Sequence, residues 1–475
     1  MINHPLAYTQ NLSDDQIQQI LSVSYNILAN TGIEVQSDEI VNELKKAGIN
    51  FDTSIGRVKF SKHIIDENLK LVPPEFTLHA RNEQHSIHIG GKTMMIAPGY
   101  GSAFIADRTG KRREATLNDF QKFAYLAQVS NMIDVNGGIL VEPNDVPAQL
   151  RPLQITSALV KYSDKPFMGS VDGKTGAKET LEIAKIIFGD LKKPCVLSLI
   201  NINSPLHLSS RMADAMLEYV RHNQPILLTP GIMMGISAPV TVAGALAQAF
   251  AEILASVTII QILNPTNPVI IGIGGFGSDL QTGGPGFGRP ENAIGTQLGA
   301  QIARTLKIPF RCSAAVTGSR LPDCRSGYER MMTALTAFNT GAHFCLQAAG
   351  ILDCINAMSY EQFMIDMEIW SYIEKLARPI DINEETLAQK VIETNKTGLL
   401  ENDHTVKFMR NELYFPQLAK PENYDQWFQS KNSDIISIAA QKAENIFSDI
   451  QPPALDKAVE NELNKYISQR VKELY

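Results

Sequence analysis

Pro268-Val-Ile-Ile-Gly-Ile-Gly-Gly-Phe-Gly-Ser-Asp279 is the stretch whose reading decides the fold. A short β-branched run empties into a glycine-rich turn. A second loop, Gln281-Thr-Gly-Gly-Pro-Gly-Phe-Gly-Arg-Pro290, follows at once. The string Gly272-x-Gly274-x-x-Gly277 satisfies the dinucleotide fingerprint. That fingerprint cradles a pyrophosphate only where a helix starts at the turn, so that free backbone N–H groups meet the phosphates. Here helix-like sequence resumes only near Glu291, after more glycines and two prolines. The stretch is therefore a strand followed by a long glycine-rich loop carrying Phe276 and Phe287, and not a nucleotide cradle.

Outward from it the chain alternates strand and helix. Strand patterns fall at Met94–Ala97, Val135–Val141, Pro166–Gly169, Pro194–Ile200, Pro225–Thr229, Val269–Ile273, Pro309–Ser313 and Ala342–Gln347. Helical spacing separates them, and Thr116-Leu-Asn-Asp119 is a capping box in its acidic form. Strands joined by crossover helices pair in parallel, and eight such units close into a barrel. The predicted class is α/β, a (βα)8 TIM barrel; a doubly wound open sheet is the alternative. Residues 12–50 read as two helices, the first with Ser13 as N-cap. Residues 56–113 alternate as short strands. Residues 379–475 carry only helical patterns. The predicted division is 1–113 (N-terminal helices and a small β element, including the first barrel strand near 94–97), 114–378 (barrel) and 379–475 (helical extension). The apolar run Pro239–Leu263 contains Gln248, Glu252 and Gln261, with a small-residue stripe at Gly244, Ala247, Ala251 and Ala255. It reads as a buried helix rather than a membrane span.

The totals narrow the function. Over 475 residues the chain is 44% apolar and 20% charged, ordinary for a globular protein. A net charge of −7, with no basic patch, argues against a nucleic-acid partner. Five widely spaced cysteines and a start without a basic, apolar leader suit a reducing cytoplasm, with no membrane association.

In a closed barrel the chemistry sits where the strands end. The residues leaving those ends are Tyr100, Glu142, Ser170, Asp172, Asn201, Asn203, Thr229, Met233, Phe276, Asp279, Ser313, Thr317, His343 and Gln347. Cys312, Cys324, His343 and Cys345 lack the tight pairs of a zinc site, so no metal is expected. Ser170 has no histidine partner, and no Gly-x-Ser-x-Gly elbow exists, which disfavours a covalent hydrolase. Glycine, aromatics and amides dominate instead. They suit a small ligand and the close approach of another large surface.

Six stretches resemble the trimethylamine methyltransferase family: Gly231–Gly244, Gln261–Ile270, Gly327–Leu335, Ala348–Asp353, Ala357–Ile369 and Asn402–Leu413. The resemblance implies a barrel enzyme that passes a methyl group from an amine to the cobalt of a separate corrinoid protein, with no cofactor held by this chain. The family's trimethylamine enzymes carry pyrrolysine near the seventh strand exit. This chain has only standard residues from Cys312 to Asp323. Members without pyrrolysine look like enzymes for quaternary amines, glycine betaine foremost, which would give dimethylglycine. The chemistry agrees. A quaternary ammonium leaves as a neutral amine, needing no proton and no covalent helper, so the protein supplies orientation and a dry site. A carboxylate at the nitrogen would favour the ground state.

The expected substrate contacts are Tyr100, Phe276 and Phe344 as aromatic cage, and Gln347 and His343 to orient the ligand. Asn201 joins as a strand-end amide. Arg320, ahead of the mid-strand Arg311, is expected to meet a substrate carboxylate. Gly274, Gly275, Gly277 and Phe287 are expected to admit the corrinoid. No catalytic residue is assigned, and a homo-oligomer is expected. Other betaines (proline betaine, carnitine) and a non-catalytic cytoplasmic binder of quaternary amines remain as alternatives.

Overall fold

The computed structural model describes residues 1–395, 398–419, 421–430 and 434–474. Seven regular strands form a curled parallel sheet in chain order: Thr93–Ile96, Phe167–Met168, Val196–Ile202, Ile226–Pro230, Val269–Ile273, Phe310–Ser313 and Phe344–Leu346. The last pairs in parallel with the first, Phe344 opposite Met95, which rules out the open sheet.

The eighth stave is irregular, a correction to the strand predicted over Val135–Val141. The Asp134 and Val135 N–H groups donate to Ile96 O, Asn136 N–H donates to Pro166 O, and Gly137 O accepts from Met168 N–H. Gly137 then takes φ +96° and breaks the pleat. At Gly138 a Cβ would stand 2.8 Å from the Tyr100 ring, so the stave loses its regularity where it makes room for that ring. These bonds close the TIM barrel.

Alternation then sorts side chains to two sides. Met95, Leu197, Leu227, Ile270 and Phe344 point into the barrel and pack with one another. The hairpin Phe76–Leu78/Ile87–Ile89 plugs the end where the strands begin, adding Phe76, Leu78, Ile87 and Ile89 to the same cluster. Each large side chain so buried contributes roughly 1.5–3 kcal/mol. Four outward neighbours, Ile271, Ile273, Phe310 and Cys312, face the surrounding helices.

The apolar run forms the helix Val242–Leu263, which has the length and composition of a membrane span. It is buried within the protein, against the helices Asp14–Asn30 and Lys62–Leu69. The Ser24 hydroxyl reaches Ala247 O across the small-residue stripe at 2.8 Å. Glu252, inside, accepts from Ser204 Oγ and Leu206 N–H. Lys62–Leu69 itself lies in a region predicted as β; Ser61 caps it. The strand Ile33–Val35 pairs with His207–Leu208 of a barrel loop, tying the N-terminal elements to the body. On the side where the barrel strands end, the hairpins Phe104–Ala106/Arg112–Glu114 and Ile351–Leu352/Ala357–Met358 join in a four-stranded sheet.

Candidate active site

The strand ends surround a cavity of about 560 Å³. Its buried end is built by strand parity. On Phe310–Ser313, Phe310 and Cys312 face outward, so Arg311 and Ser313 face in. Arg311 is 1% exposed. Room for it comes from the neighbouring strand, where Gly272 and Gly274 face the same side. A Cβ on Gly272 would stand 2.5 Å from Arg311 O, and one on Gly274 2.7 Å from Arg311 Nη1. The glycines of the opening stretch thus seat a guanidinium, where the motif alone suggested a phosphate.

Arg311 Nη2 donates to Gln347 Oε1 at 3.0 Å, and Ser313 Oγ donates to the same oxygen at 2.5 Å. With its oxygen doubly engaged, Gln347 keeps its Nε2 hydrogens for the cavity. Its backbone sits at φ +64°, an unusual conformation for a residue with a side chain, which turns the chain at the strand exit. Arg311 Nε and Nη1, Tyr100 Oη and Thr229 Oγ1 are all buried without a partner. Among the described residues no carboxylate pairs with Arg311. Burial pushes its guanidinium down to about 10, which leaves it charged at neutral pH. Burial also pushes the Tyr100 phenol up, which keeps it a neutral donor. This end of the cavity therefore presents N–H and O–H donors around one uncompensated positive charge. An anion fits there; a bare cation does not.

Toward the mouth the lining changes. Tyr100 and Phe287 supply aromatic surface, and Ile139, Met212 and Met233 supply apolar surface. Phe287 lies over Gly275, whose absent Cβ would stand 3.0 Å from the ring. The rim carboxylates are held by arginines: Glu142 by Arg151 and Asp172 by Arg211, each at 3.5 Å.

Of the twelve residues expected to contact the substrate or admit the corrinoid, Tyr100, Asn201, Arg311, Gln347, Gly274, Gly275 and Phe287 line this cavity. Five do not. Phe276 is fully buried against Gly295 of the helix Pro290–Leu306, behind the strand. Phe344 belongs to the barrel interior cluster beneath the cavity. His343 lies at the opposite end of its strand. It accepts from Phe310 N–H at 3.1 Å and packs edge-on to His4. Arg320 is exposed and pairs with Asp353 at 3.2 Å, outside the cavity that Arg311 lines. Gly277 abuts Glu291 and Gly286 rather than the mouth. Arg151 and Arg211 were missed. They come from the first turns of helices, and no sequence motif marks them.

The family described as trimethylamine methyltransferase (MTTB) matches residues 1–475. The chain is 36% identical over 469 residues to a glycine betaine methyltransferase of Desulfitobacterium hafniense, covering 98% of this chain and 97% of that protein. It is 27% identical to a proline betaine:corrinoid methyltransferase of Eubacterium limosum, covering 97% and 98%. Among solved structures, the monomethylamine methyltransferase of Methanosarcina barkeri aligns over 94% of this chain and 96% of its own, with a TM-score of 0.49 at 11% identity.

Proposed function

The chain belongs to the trimethylamine methyltransferase family, and from that premise we propose that it moves a methyl group from a carboxylated quaternary amine, glycine betaine first, to Co(I) of a separate corrinoid protein. One observation carries the choice of substrate: Arg311 is buried, charged and without a carboxylate partner among the described residues, beside the unpartnered hydroxyls of Tyr100 and Thr229. A betaine supplies the missing anion at one end and a cation at the other. With its carboxylate on Arg311, Tyr100 Oη and Gln347 Nε2, its methyls point toward Phe287 and the mouth. An aromatic face there stabilises the ammonium by roughly 0.5–2 kcal/mol.

The transfer needs little else from the protein. The methyl carbon goes to Co(I) and the C–N bonding pair stays on nitrogen, so dimethylglycine leaves with no proton required. The positive charge on nitrogen disappears as this happens, and a carboxylate beside it would oppose the change. Glu142 and Asp172, the cavity's acids, are both held at the rim by arginines. Gly274, Gly275, Phe287 and Asn201 border the approach of the corrinoid. A cavity of about 560 Å³ leaves space for larger betaines, and the relative acting on proline betaine makes that compound the second candidate.

The test is direct. Incubation with glycine betaine and a corrinoid protein reduced to Co(I) is expected to give the methylated cobalt spectrum and stoichiometric dimethylglycine. Binding of betaine with an unchanged cobalt spectrum would replace the enzyme with a quaternary-amine binder.

A further inference from the structure

Phe287 stands on the loop between the strand Val269–Ile273 and the helix Pro290–Leu306, which folds over the mouth as the small hairpin Ser278–Asp279/Gly284–Pro285. The tip of that hairpin is in water, with Leu280 63% exposed. A loop so rich in glycine has little conformational preference of its own, so its shape is set by what it leans on. On one side the Ser278 hydroxyl donates to Met234 O. On the other, the segment carrying Phe287 rests on two residues, Glu329 and Cys354, that line no part of the cavity.

Glu329 lies buried on the helix Cys324–Thr340. Its Oε2 accepts from Thr317 Oγ1 at 2.5 Å and from Gly318 N–H at 2.9 Å, and its Oε1 from Arg325 Nε at 2.8 Å. Gly288 packs directly on this carboxylate. At its φ of +86°, a Cβ would overlap Glu329 Oε2 and stand 3.0 Å from Thr317 Cα. The Cys354 thiol donates to Pro285 O at 3.3 Å. Asp353, Cys354 and Ile355 take φ of +51°, +52° and +78°, a left-handed turn without a glycine. Such a turn strains residues that carry a Cβ and persists only where its surroundings fix it. Here Asp353 N–H donates to Ser319 O at 2.7 Å, Cys354 N–H to Thr317 O at 3.1 Å, and Ser102 Oγ to Ile355 O at 2.6 Å. The turn brings the thiol to Pro285, two residues before Phe287, while Glu329 seats Gly288, the residue after it.

Methyl transfer uses neither residue, yet a buried carboxylate and a strained turn converge on both flanks of one aromatic side chain. We infer that Glu329 and Cys354 are positioning residues of the site: they hold Phe287 across Gly275, so that its face is in place before a cation arrives. The consequence for ligand binding rests on the betaine reading above; the hold on the loop does not.

Hydrogen exchange reads the hold without betaine or cobalt. In Cys354→Ala the amides of Leu280–Arg289 are expected to exchange about 5–10-fold faster than in wild type, with those of the buried helix Val242–Leu263 unchanged. Cys354→Ser restores a donor on the same backbone and is expected to return the rate toward wild type. Glu329→Gln is expected to loosen the same loop. Calorimetry reads the consequence. Cys354→Ala is expected to weaken glycine betaine and tetramethylammonium alike, about 3–10-fold, and to leave acetate unchanged, because Phe287 meets the ammonium and not the carboxylate. In a Phe287→Ala background the same substitution is expected to cost nothing further. Wild-type loop exchange in Cys354→Ala, a serine variant as fast as the alanine one, or an equal loss of affinity with and without Phe287 would each overturn the inference. Faster loop exchange in Cys354→Ala, reversed by serine, in a protein that binds no betaine would uphold the hold on Phe287 and remove the betaine reading.

Discussion

Arg311 Nη2 donates to Gln347 Oε1 at 3.0 Å, and this neutral amide is the only side chain that engages the buried guanidinium among the described residues. The pair orients Arg311 without neutralising it. A protein that keeps a desolvated, uncompensated charge loses stability to do so, and the loss is recovered when a ligand brings the opposite charge. Stability and function should therefore move in opposite directions at this position.

Arg311→Met is expected to stabilise the free protein by about 1 kcal/mol or more, because a lone buried charge is replaced by apolar volume while Ser313 still serves Gln347. The same change should weaken glycine betaine binding about 100-fold or more, the equivalent of roughly 3 kcal/mol. Chemical denaturation and calorimetry measure the two effects. A variant that loses stability as well as binding would mark Arg311 as structural.

The ligand offers the converse test. Tetramethylammonium keeps the cation and lacks the carboxylate, so it should bind at least about 30-fold more weakly than glycine betaine, from the loss of one charged hydrogen-bonded contact of roughly 2–3 kcal/mol. Acetate, which keeps only the anion, should compete with betaine. Competition by tetramethylammonium at betaine-like concentrations would refute a carboxylate site.

Gly274→Ala probes the seat of the guanidinium. The added methyl would stand 2.7 Å from Arg311 Nη1 and 2.8 Å from Thr229 Cγ2, closer than real contacts allow. Arg311 must move, and kcat/KM should fall about 10–100-fold at a stability cost of roughly 1–3 kcal/mol. Steady-state kinetics with saturating corrinoid protein separates this from a global effect, since an unfolding defect alone lowers kcat without raising KM.

These expectations show what the sequence could and could not yield. The barrel was legible because βα periodicity is local, and every strand but the glycine-interrupted second stave formed. The functional depth of Arg311 was not legible, because a mid-strand arginine looks costly until register is known. The signal existed in Gly272 and Gly274, one face of a strand stripped of side chains. It acquires meaning only once Gly272 is placed opposite Arg311. Phe276 and Phe287 are indistinguishable by composition. The turn that sends one behind the strand and the other over Gly275 depends on contacts with the helix Pro290–Leu306 that no local pattern encodes.

Tyr100 is expected to act through its hydroxyl as well as its ring. Tyr100→Phe removes a buried donor that has no protein partner, so the free protein should be as stable or slightly more so. Betaine affinity should fall about 5–20-fold through the lost bond to the carboxylate. Tyr100→Leu removes the ring too and should cost a further few-fold. Equal affinities for Tyr100→Phe and wild type would move the hydroxyl out of the carboxylate site.

His343 should govern acid stability and leave catalysis untouched. Its Nδ1 accepts the Phe310 N–H, and its other nitrogen bonds the Gly91 carbonyl, an arrangement only the neutral ring satisfies. Burial, with His4 and Arg304 nearby, pushes it down to about 4 from its ordinary 6.5. Between those values the unfolded chain binds a proton that the folded protein refuses. Its contribution to stability is thus complete above pH 6.5 and is lost as the pH falls from 6.5 toward 4. His343→Gln can keep both hydrogen bonds without titrating. Between pH 7 and 4.5 it should lose roughly 2–3 kcal/mol less than wild type in denaturant titrations. Its turnover at pH 7 should match wild type, because the ring sits at the end of the barrel opposite the cavity. Parallel stability curves for the two proteins would show that the imidazole titrates normally in the fold.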